Sequence, residues 1–329
     1  NMPPAGVLAL ASVKRAGPRV GGNDSASLWD LGDGVLGLEI HTKMNACNGA
    51  VIEAVEAAAE TVARGFRALV VGNDHARAFS AGADLAFFVD MIERRQWQAL
   101  EQFVARGQEA FLRLKYAPFP AVAAAFGLTL GGGCELMMHC DATFAHAELN
   151  AGFPELNVGI VPGWGGCTQL VLRMADRADG VQRTFETVAG ATVSSSALAA
   201  HGMGILRAGD GIVFNRDRLL AAARDDAVAM SQRGYIPPPK ASVTLGATSA
   251  AALLEAAQSW RAERRLSDND WAVIAELAGI FGGDGSAPRA FGEAELTRLE
   301  REAFLRLAQR PATLERMKHM LATGKPLRN

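Results

Sequence analysis

Patterns typical of strands and helices alternate through the first two thirds of the chain. Short apolar runs over 35–40, 66–71 and 121–125 are typical of strands that are buried on both faces of a parallel sheet. Apolar residues recur at helical spacing over 49–64, and a second helical stretch covers 84–114. This alternation predicts an α/β fold whose parallel strands are joined by right-handed crossovers.

The pattern changes after about residue 205, where strand-type runs give way to helical periodicity. The helices predicted there cover 216–232, 247–265, 267–280 and 293–321. We therefore expect three parts in the chain: a linker or tail at 1–27, an α/β core at 28–205 and an all-helical C-terminal region at 206–329. The helical region is expected to cover the core or to mediate assembly.

Composition and charge narrow the class of protein. The 329 residues include 33 Lys and Arg against 35 Asp and Glu, and the net charge of −2 argues against a strongly basic nucleic-acid binder or a protein that binds anionic membranes. No apolar run approaches the roughly 20 residues of a membrane-spanning helix. The four cysteines form no CxxC pair and no zinc pattern. Reduced thiols in a cytoplasmic protein, without a metal, are therefore expected.

Three glycine-containing segments carry candidate chemistry. They are FSAGADL at 79–85, GGGCEL at 131–136, and FPE at 153–155 with VPGWGG following at 161–166. Small residues let a ligand approach backbone N–H groups closely, and N–H groups at the start of a helix favour negative charge. Taken alone, each segment also has an ordinary interpretation, because a glycine triplet is usually a turn and a glutamate in a first helical turn complements the helix dipole.

The other motifs in the sequence do not predict a nucleotide or phosphate site. The stretch 163–168 imitates the start of a dinucleotide-binding GxGxxG, but Thr168 stands in place of the third glycine, and no GxxxxGK[ST] phosphate loop is present. The charged residues over 299–306 are typical of a solvated helix face. No credible NAD site is found, so dehydrogenase chemistry is not expected of this chain.

In their order and spacing, the three segments resemble the crotonase (enoyl-CoA hydratase/isomerase) superfamily over about residues 28–232. The resemblance implies a crotonase-like catalytic core of ββα repeats wound in a spiral. The stretch from 299 to 329 looks like the end of bacterial fused 3-hydroxyacyl-CoA dehydrogenase/enoyl-CoA hydratase proteins. In such proteins a dehydrogenase part, which we expect to be missing here, precedes the crotonase-like part.

The resemblance also implies residue roles. The backbone N–H groups of Ala83 and Gly132 would form an oxyanion hole for a thioester carbonyl. Glu135 and Glu155 match the two carboxylates that hold water and exchange protons with C2 and C3 of the substrate. The residues that match the adenine and pantetheine site are Lys43, Met44, Ala81 and Asp84.

Two positions depart from the family pattern, and one role stays open. His41-Thr42 stands where the family commonly has Arg-Pro, which puts the details of the adenine and phosphate contacts in doubt. Trp164, beside Gly163, stands where the family usually has a small residue, and we expect these two residues to shape the acyl pocket. Asp84 either contacts the ligand or caps the helix that follows it.

The reaction that the resemblance implies is the hydration of trans-2-enoyl-CoA to 3-hydroxyacyl-CoA in fatty-acid β-oxidation. Coenzyme A enters as part of the substrate, and no metal or redox cofactor is expected. The alternatives are a Δ3-Δ2 enoyl-CoA isomerase, which needs one proton shuttle, and a non-catalytic crotonase-like module that binds acyl-CoA or other subunits. The expected partners are copies of the chain, in a trimer-like homo-oligomer, or a dehydrogenase domain of the same polypeptide.

Overall fold

Helices and strands alternate along the part of the chain that the computed structural model describes, residues 6–246, 248, 250–263, 266–283 and 287–329. The strands are β1 (Gly21–Gly22), β2 (Ala26–Asp30), β3 (Val35–Ile40), β4 (Ala68–Val71), β5 (Ala78–Ala81), β6 (Ala121–Ala125), β7 (Leu128–Leu130), β8 (Ala142–His146), β9 (Asn150–Gly152), β10 (Gly211–Val213), β11 (Ser242–Leu245) and β12 (Arg289–Gly292). The helices are α1 (Leu10–Ala16), α2 (Gly49–Gly65), α3 (Leu85–Glu93), α4 (Trp97–Lys115), α5 (Gly132–Met138), α6 (Gly166–Arg173), α7 (Gly180–Ala189), α8 (Ala197–Gly202), α9 (Leu219–Gln232), α10 (Ala250–Glu263), α11 (Asp268–Phe281), α12 (Glu293–Ala308) and α13 (Pro311–Thr323). Short 3-10 helices cover Lys43–Asn45, Glu155–Val158 and Arg216–Arg218.

The chain divides into two compact units, each of which draws on three separate stretches of sequence. The first unit comprises Asn1–Ala83, Glu109–Ala151 and Ser194–Pro239. The second unit comprises Asp84–Gln108, Gly152–Val193 and Lys240–Asn329.

A sheet with the strand order β1-β2-β3-β4-β6-β8-β10 forms the centre of the first unit. The strands from β3 onward are parallel, with Leu36 opposite Leu69 and Leu69 opposite Ala121, whereas β1 and β2 pair antiparallel at one edge. Every residue of β3, β4 and β6 is buried, as their continuous apolar runs predict for strands that are covered on both faces. The predicted α/β fold is therefore confirmed.

A smaller sheet in the first unit, with the order β5-β7-β9, brings two of the sequence motifs together. Strands β5 and β7 are parallel, and their last residues, Ala81 and Leu130, lie opposite each other. Gly82 follows β5 and Gly131 follows β7. Because parallel neighbours end at the same edge of a sheet, the FSAGADL and GGGCEL segments leave the sheet side by side.

The second unit is mainly helical, as expected for much of the C-terminal region. Helix α11 packs against α7, α10 and α12, and α13 packs against α3. Strands β11 and β12 form an antiparallel pair with Val243 opposite Phe291. Among the helices of the described residues, none has the length and apolar character needed to cross a membrane.

Two stretches that the periodicity predicts as single helices are divided. The helical stretch over 84–114 forms α3 and α4, which are separated by a turn in which Arg95 has a φ of +53°. The stretch over 293–321 forms α12 and α13. Pro311 begins α13 because proline has no N–H to bond within a helix, yet fits its first position.

Several short elements escape the sequence pattern. The stretch 1–27, expected as a linker or tail, contains α1 with a buried Leu10 as well as β1, and residues 1–5 lie outside the described part. The region after 205 also contains β10, β11 and β12, which have three or four residues each. Of the helix predicted over 247–265, α10 is observed, and residues 247, 249, 264 and 265 lie outside the described part. The boundaries at 27 and 205 stay predictions.

Candidate active site

The glycine triplet forms the turn between β7 and helix α5. Gly131 has a φ of +49°, a conformation that favours glycine, and its carbonyl accepts the N–H of Glu135 at 2.8 Å. Because the C=O and N–H of a trans peptide point in opposite directions, the N–H of Gly132 points out of the start of the helix. A Cβ on Gly133 would lie 2.4 Å from the Cβ of Ser80 and 2.5 Å from its carbonyl oxygen, so glycine is required for α5 to pack on β5.

The loop after β5 orients a second backbone N–H. Gly82 has a φ of +98°, and its carbonyl accepts the N–H of Cys47 at 2.8 Å. Ala83 and Cys47 form a parallel bridge. The N–H of Ala83 belongs to the same trans peptide as the Gly82 carbonyl and therefore points away from Cys47. Both N–H groups named from the sequence, those of Ala83 and Gly132, thus follow two paired strand ends and point away from their local backbone partners.

Glu135 lies in the first turn of α5 and is buried, with 2% of its surface exposed. Its charge acts on the thiol of Cys47, the residue that bridges to Ala83. Burial is the main cause that raises the pKa of Cys47, a hydrogen bond with Ser80 lowers it, and the negative charge of Glu135 raises it; the net pKa is about 12. The structure therefore gathers Ala83, Gly132 and Glu135 in one part of the first unit.

The turn that contains Lys43 and Met44, which are predicted to contact coenzyme A, is hydrogen-bonded to strand β5. Lys43 and Met44 lie in the 3-10 helix Lys43–Asn45, and Lys43 is exposed. The side-chain amide of Asn45 donates to the carbonyls of Ala78 and Phe79, at 3.1 and 3.3 Å. These bonds hold the turn against β5, the strand that ends at Ala81.

Asp84, which the sequence left between two roles, caps α3 in the second unit. Its Oδ1 accepts the N–H of Ala86 at 3.0 Å, and its backbone is extended. This is the geometry of a helix N-cap.

Glu155 begins the 3-10 helix Glu155–Val158 in the second unit and is 9% exposed. Its carbonyl accepts the N–H of Ile160 at 3.3 Å, and the segment ends at Gly159, whose φ is +82°. The carbonyls of Leu156 and Gly159 accept hydrogen bonds from side chains of α13. Glu155 is thus a nearly buried carboxylate on a short, well-bonded turn.

Trp164 is 3% exposed and lies in an aromatic cluster of the second unit. Its ring meets that of Phe103 at a centroid distance of 5.6 Å and an angle of 70°, an edge-to-face contact. Phe103 in turn contacts Phe87 at 4.5 Å. A Cβ on Gly163 would lie 3.1 Å from the Phe304 ring, so the residue before Trp164 also packs against this cluster.

The loop around Trp164 is held by Glu300, a residue that the sequence pattern misses. Glu300 is fully buried, and it accepts the N–H of Gly165 at 2.8 Å, the N–H of Thr168 at 2.5 Å and the hydroxyl of Thr168 at 2.6 Å. The prediction of a solvated helix face over 299–306 is therefore wrong at this position. The neighbouring charges on α12 hid the signal, because burial here depends on partners more than 130 positions away.

No group of three or more His, Cys, Asp and Glu side chains in the described part of the chain is arranged to hold a metal ion. The carboxylates and backbone N–H groups described above can act as proton donors, proton acceptors and hydrogen-bond donors.

Comparison with known proteins identifies the family. The model of the family described as Enoyl-CoA hydratase/isomerase matches residues 34–205, more than half of the chain. The chain belongs to the enoyl-CoA hydratase/isomerase family. The solved structure of the enoyl-CoA hydratase from Bacillus halodurans covers 90% of this chain and 99% of its own, at a TM-score of 0.62 and 14% identity, which shows the crotonase fold. The resemblance inferred from the three motifs is confirmed.

Two curated relatives differ in how much of each protein is shared. A probable 3-hydroxyacyl-CoA dehydrogenase from Bacillus subtilis is 37% identical over 329 residues, 97% of this chain and 41% of that protein. A probable enoyl-CoA hydratase from Mycobacterium bovis is 31% identical over 201 residues, 60% of this chain and 72% of that protein. The chain spans about two fifths of the length of the curated relatives that match most of it.

Proposed function

We propose that the chain is an enoyl-CoA hydratase module, which adds water syn across the double bond of a trans-2-enoyl-CoA to give a 3-hydroxyacyl-CoA in fatty-acid β-oxidation. The observation that carries the proposal is the grouping of a buried Glu135 with the outward-pointing N–H groups of Ala83 and Gly132. Membership of the enoyl-CoA hydratase/isomerase family supports the same assignment.

In this reaction the two backbone N–H groups donate to the thioester carbonyl oxygen of the substrate. Water attacks C3, the electrons of the C2–C3 double bond move onto the thioester, and the resulting enolate oxygen is stabilised by Ala83 and Gly132. Losing one such donor typically costs about 3–4 kcal/mol of transition-state stabilisation. The two N–H groups follow a paired strand edge, and groups held by a rigid sheet need little reorganisation during the reaction.

The carboxylates move the protons. One of Glu135 and Glu155 takes a proton from the attacking water, and the other delivers a proton to C2, so that the product gains one H and one OH on the same face. Burial of both side chains supports this role, because a carboxylate shielded from bulk water exchanges its proton with the substrate rather than with solvent. The reaction as written requires no metal and no redox cofactor.

Coenzyme A is recognised as part of the substrate. We assign Lys43, Met44 and Ala81 to the adenine and pantetheine contacts, and Gly163 and Trp164 to the acyl pocket. Asp84 is left out of these contacts because its carboxylate caps α3. The exposed Lys43 on a turn bonded to β5 supports this assignment, because an ammonium there can attract the negatively charged phosphates of coenzyme A.

The chain is proposed to work beside a dehydrogenase domain of the same polypeptide. The match to a probable 3-hydroxyacyl-CoA dehydrogenase over 97% of this chain but 41% of that relative supports a longer natural protein. The product of hydration, a 3-hydroxyacyl thioester, is the substrate class that a 3-hydroxyacyl-CoA dehydrogenase oxidises. A trimer-like homo-oligomer is the alternative arrangement.

The test is the loss of enoyl-thioester absorbance with crotonyl-CoA and decenoyl-CoA. Wild type is compared with Glu135→Gln, Glu155→Gln and a control, Glu148→Gln, which changes an exposed glutamate of the first unit. Hydration that falls at least about 100-fold in the first two variants and persists in the control supports the proposal. Turnover of a 3-enoyl-CoA without hydration indicates the isomerase instead. Binding of acyl-CoA without any turnover indicates a binding module.

A further inference from the structure

We propose that helices α11 and α13 position Glu155 for catalysis through a buried group of side chains, the C-terminal clamp, which consists of Ser267, Asp270, Thr313 and Arg316. The clamp holds the backbone of the turn that carries Glu155, and none of its members needs to touch substrate. The inference rests on the proposed function, in which Glu155 exchanges a proton with the substrate.

Two members of the clamp bond directly to the Glu155 turn. The Nη1 of Arg316 donates to the carbonyl of Leu156 at 2.9 Å, and the Oγ1 of Thr313 donates to the carbonyl of Gly159 at 2.9 Å. Together with the bond from the Ile160 N–H to the Glu155 carbonyl, these contacts tie down the turn from its first residue to its end. The direction in which the Glu155 side chain leaves the backbone is thereby set.

Gly159 allows the helices to approach the turn without a gap. Its φ is +82°, and a Cβ at this position would lie 2.8 Å from both the Oγ1 of Thr313 and the Nδ2 of Asn269. A side chain larger than hydrogen would push α11 and α13 away. The close contact means that a shift of either helix moves the Glu155 turn with it.

Arg316 is itself fixed by the rest of the clamp. Its side chain is 1% exposed, and its Nη1 also donates to Asp270 at 2.8 Å while its Nη2 donates to Ser267 at 2.7 Å. Its Nε donates to the Asn329 side chain at 2.7 Å. Ser267 and Asp270 also form the capping box at the start of α11. The guanidinium therefore connects the Leu156 carbonyl to the start of α11, which is held by its capping box.

Burial of this ion pair favours a positioning role over a contribution to stability alone. A buried ion pair is often no more stabilising than apolar residues of the same volume, because removing both charges from water is costly. Its fixed geometry and multiple hydrogen bonds instead define one orientation. Proton transfer is sensitive to such orientation, since a displacement of about 1 Å can reduce a rate about 100-fold.

The first experiment removes one hydroxyl without changing volume. Thr313→Val deletes the hydroxyl that donates to Gly159, whereas Thr313→Ser retains a hydroxyl. A further variant, Arg316→Lys, keeps the positive charge but loses the planar guanidinium. The matched control is Thr184→Val, because Thr184 is also buried and its hydroxyl donates to Gly180 inside α7, in the same unit. Each variant is assayed for kcat and KM with crotonyl-CoA and for amide hydrogen exchange of residues 157–160.

For Thr313→Val we expect kcat to fall about five- to tenfold with KM within about twofold of wild type, and residues 157–160 to exchange faster. Arg316→Lys should behave in the same way, whereas Thr313→Ser and Thr184→Val should retain the wild-type kcat and exchange. A fall in kcat without a change in KM distinguishes a positioning role from general destabilisation. Thr184→Val removes a comparable buried hydroxyl and controls for the destabilisation that such a loss causes.

Unchanged kcat and unchanged exchange at 157–160 in both Thr313→Val and Arg316→Lys would overturn the inference. An equal loss of kcat in Thr184→Val would do so as well. If Glu155→Gln abolishes turnover and the clamp variants keep their kcat, only the clamp proposal is wrong. If Glu155→Gln keeps full turnover, the proposed role of Glu155 fails, and the role of the clamp in catalysis fails with it.

Discussion

Replacing Glu300 with glutamine tests whether a single buried carboxylate holds the loop around Trp164. One oxygen of Glu300 accepts two hydrogen bonds from Thr168, and the other accepts one from the N–H of Gly165. Glutamine has one oxygen and one NH2 group. In either orientation of the amide, at least one of the three donors therefore faces another donor instead of an acceptor.

The magnitude follows from these three bonds. Hydrogen bonds to a charged group contribute about 1.5–3 kcal/mol each and neutral ones about 1 kcal/mol, so losing one bond and neutralising two destabilises by about 4 kcal/mol. A neutral amide costs less to bury than a carboxylate, which offsets about 1 kcal/mol of that loss. We expect Glu300→Gln to lower the free energy of unfolding by about 3 kcal/mol.

The assay is urea unfolding followed by tryptophan fluorescence, because four of the five tryptophans lie in the second unit with Glu300. Glu302→Gln is the matched control: Glu302 lies on the same helix, its side chain is 42% exposed and it pairs with Arg298, so the variant should change the free energy of unfolding by about 0.5 kcal/mol or less. If both variants unfold within about 1 kcal/mol of wild type, the three hydrogen bonds do not stabilise the loop as argued.

Three further predictions concern the remaining site residues. Gly133→Ala forces its Cβ into Ser80, so α5 must shift and kcat should fall at least about tenfold in the hydration assay, with a matching loss of thermal stability. Trp164→Ala opens a cavity beside Phe103, should destabilise by about 3–5 kcal/mol and should move the kcat/KM profile toward longer acyl chains; an unchanged profile refutes a role in the pocket. Between pH 9 and pH 12 the folded state keeps the Cys47 proton that the unfolded state loses, so stability falls with rising pH, and Cys47→Ala should reduce that slope by about 1.4 kcal/mol per pH unit.

The parallel sheet could be predicted from the sequence because its strands are continuous apolar runs. Strands β3 and β6 were expected over 35–40 and 121–125, and both have these bounds. The short strands β5, β7 and β9 have only three or four residues, which is too few for a periodicity to develop. Strand β11 alternates buried and exposed residues over four positions, too few to separate from a polar loop.

The two glutamates differ in how far their support could be read from the sequence. Glu135 is held by its own neighbourhood: Gly131 makes the turn, Gly133 allows packing on Ser80, and the motif that identifies the residue contains most of what positions it. Because these local requirements can be met only by glycine, Gly131 and Gly133 mark the support of Glu135 in the sequence.

The residues that support Glu155 cannot be recognised in the sequence around it. The contacts to its turn come from Thr313 and Arg316, 154 and 160 positions after their partners, and both belong to a helix that also carries the exposed charged residues Glu315 and Lys318. An arginine in a charged helix predicts solvent exposure, and only the packed structure shows that this one is buried against Asp270. The part of the chain defined by the motifs, 28–205, therefore contains both proposed proton carriers but only one of their supports. Helices α11 and α13 are accordingly part of the catalytic apparatus that we propose.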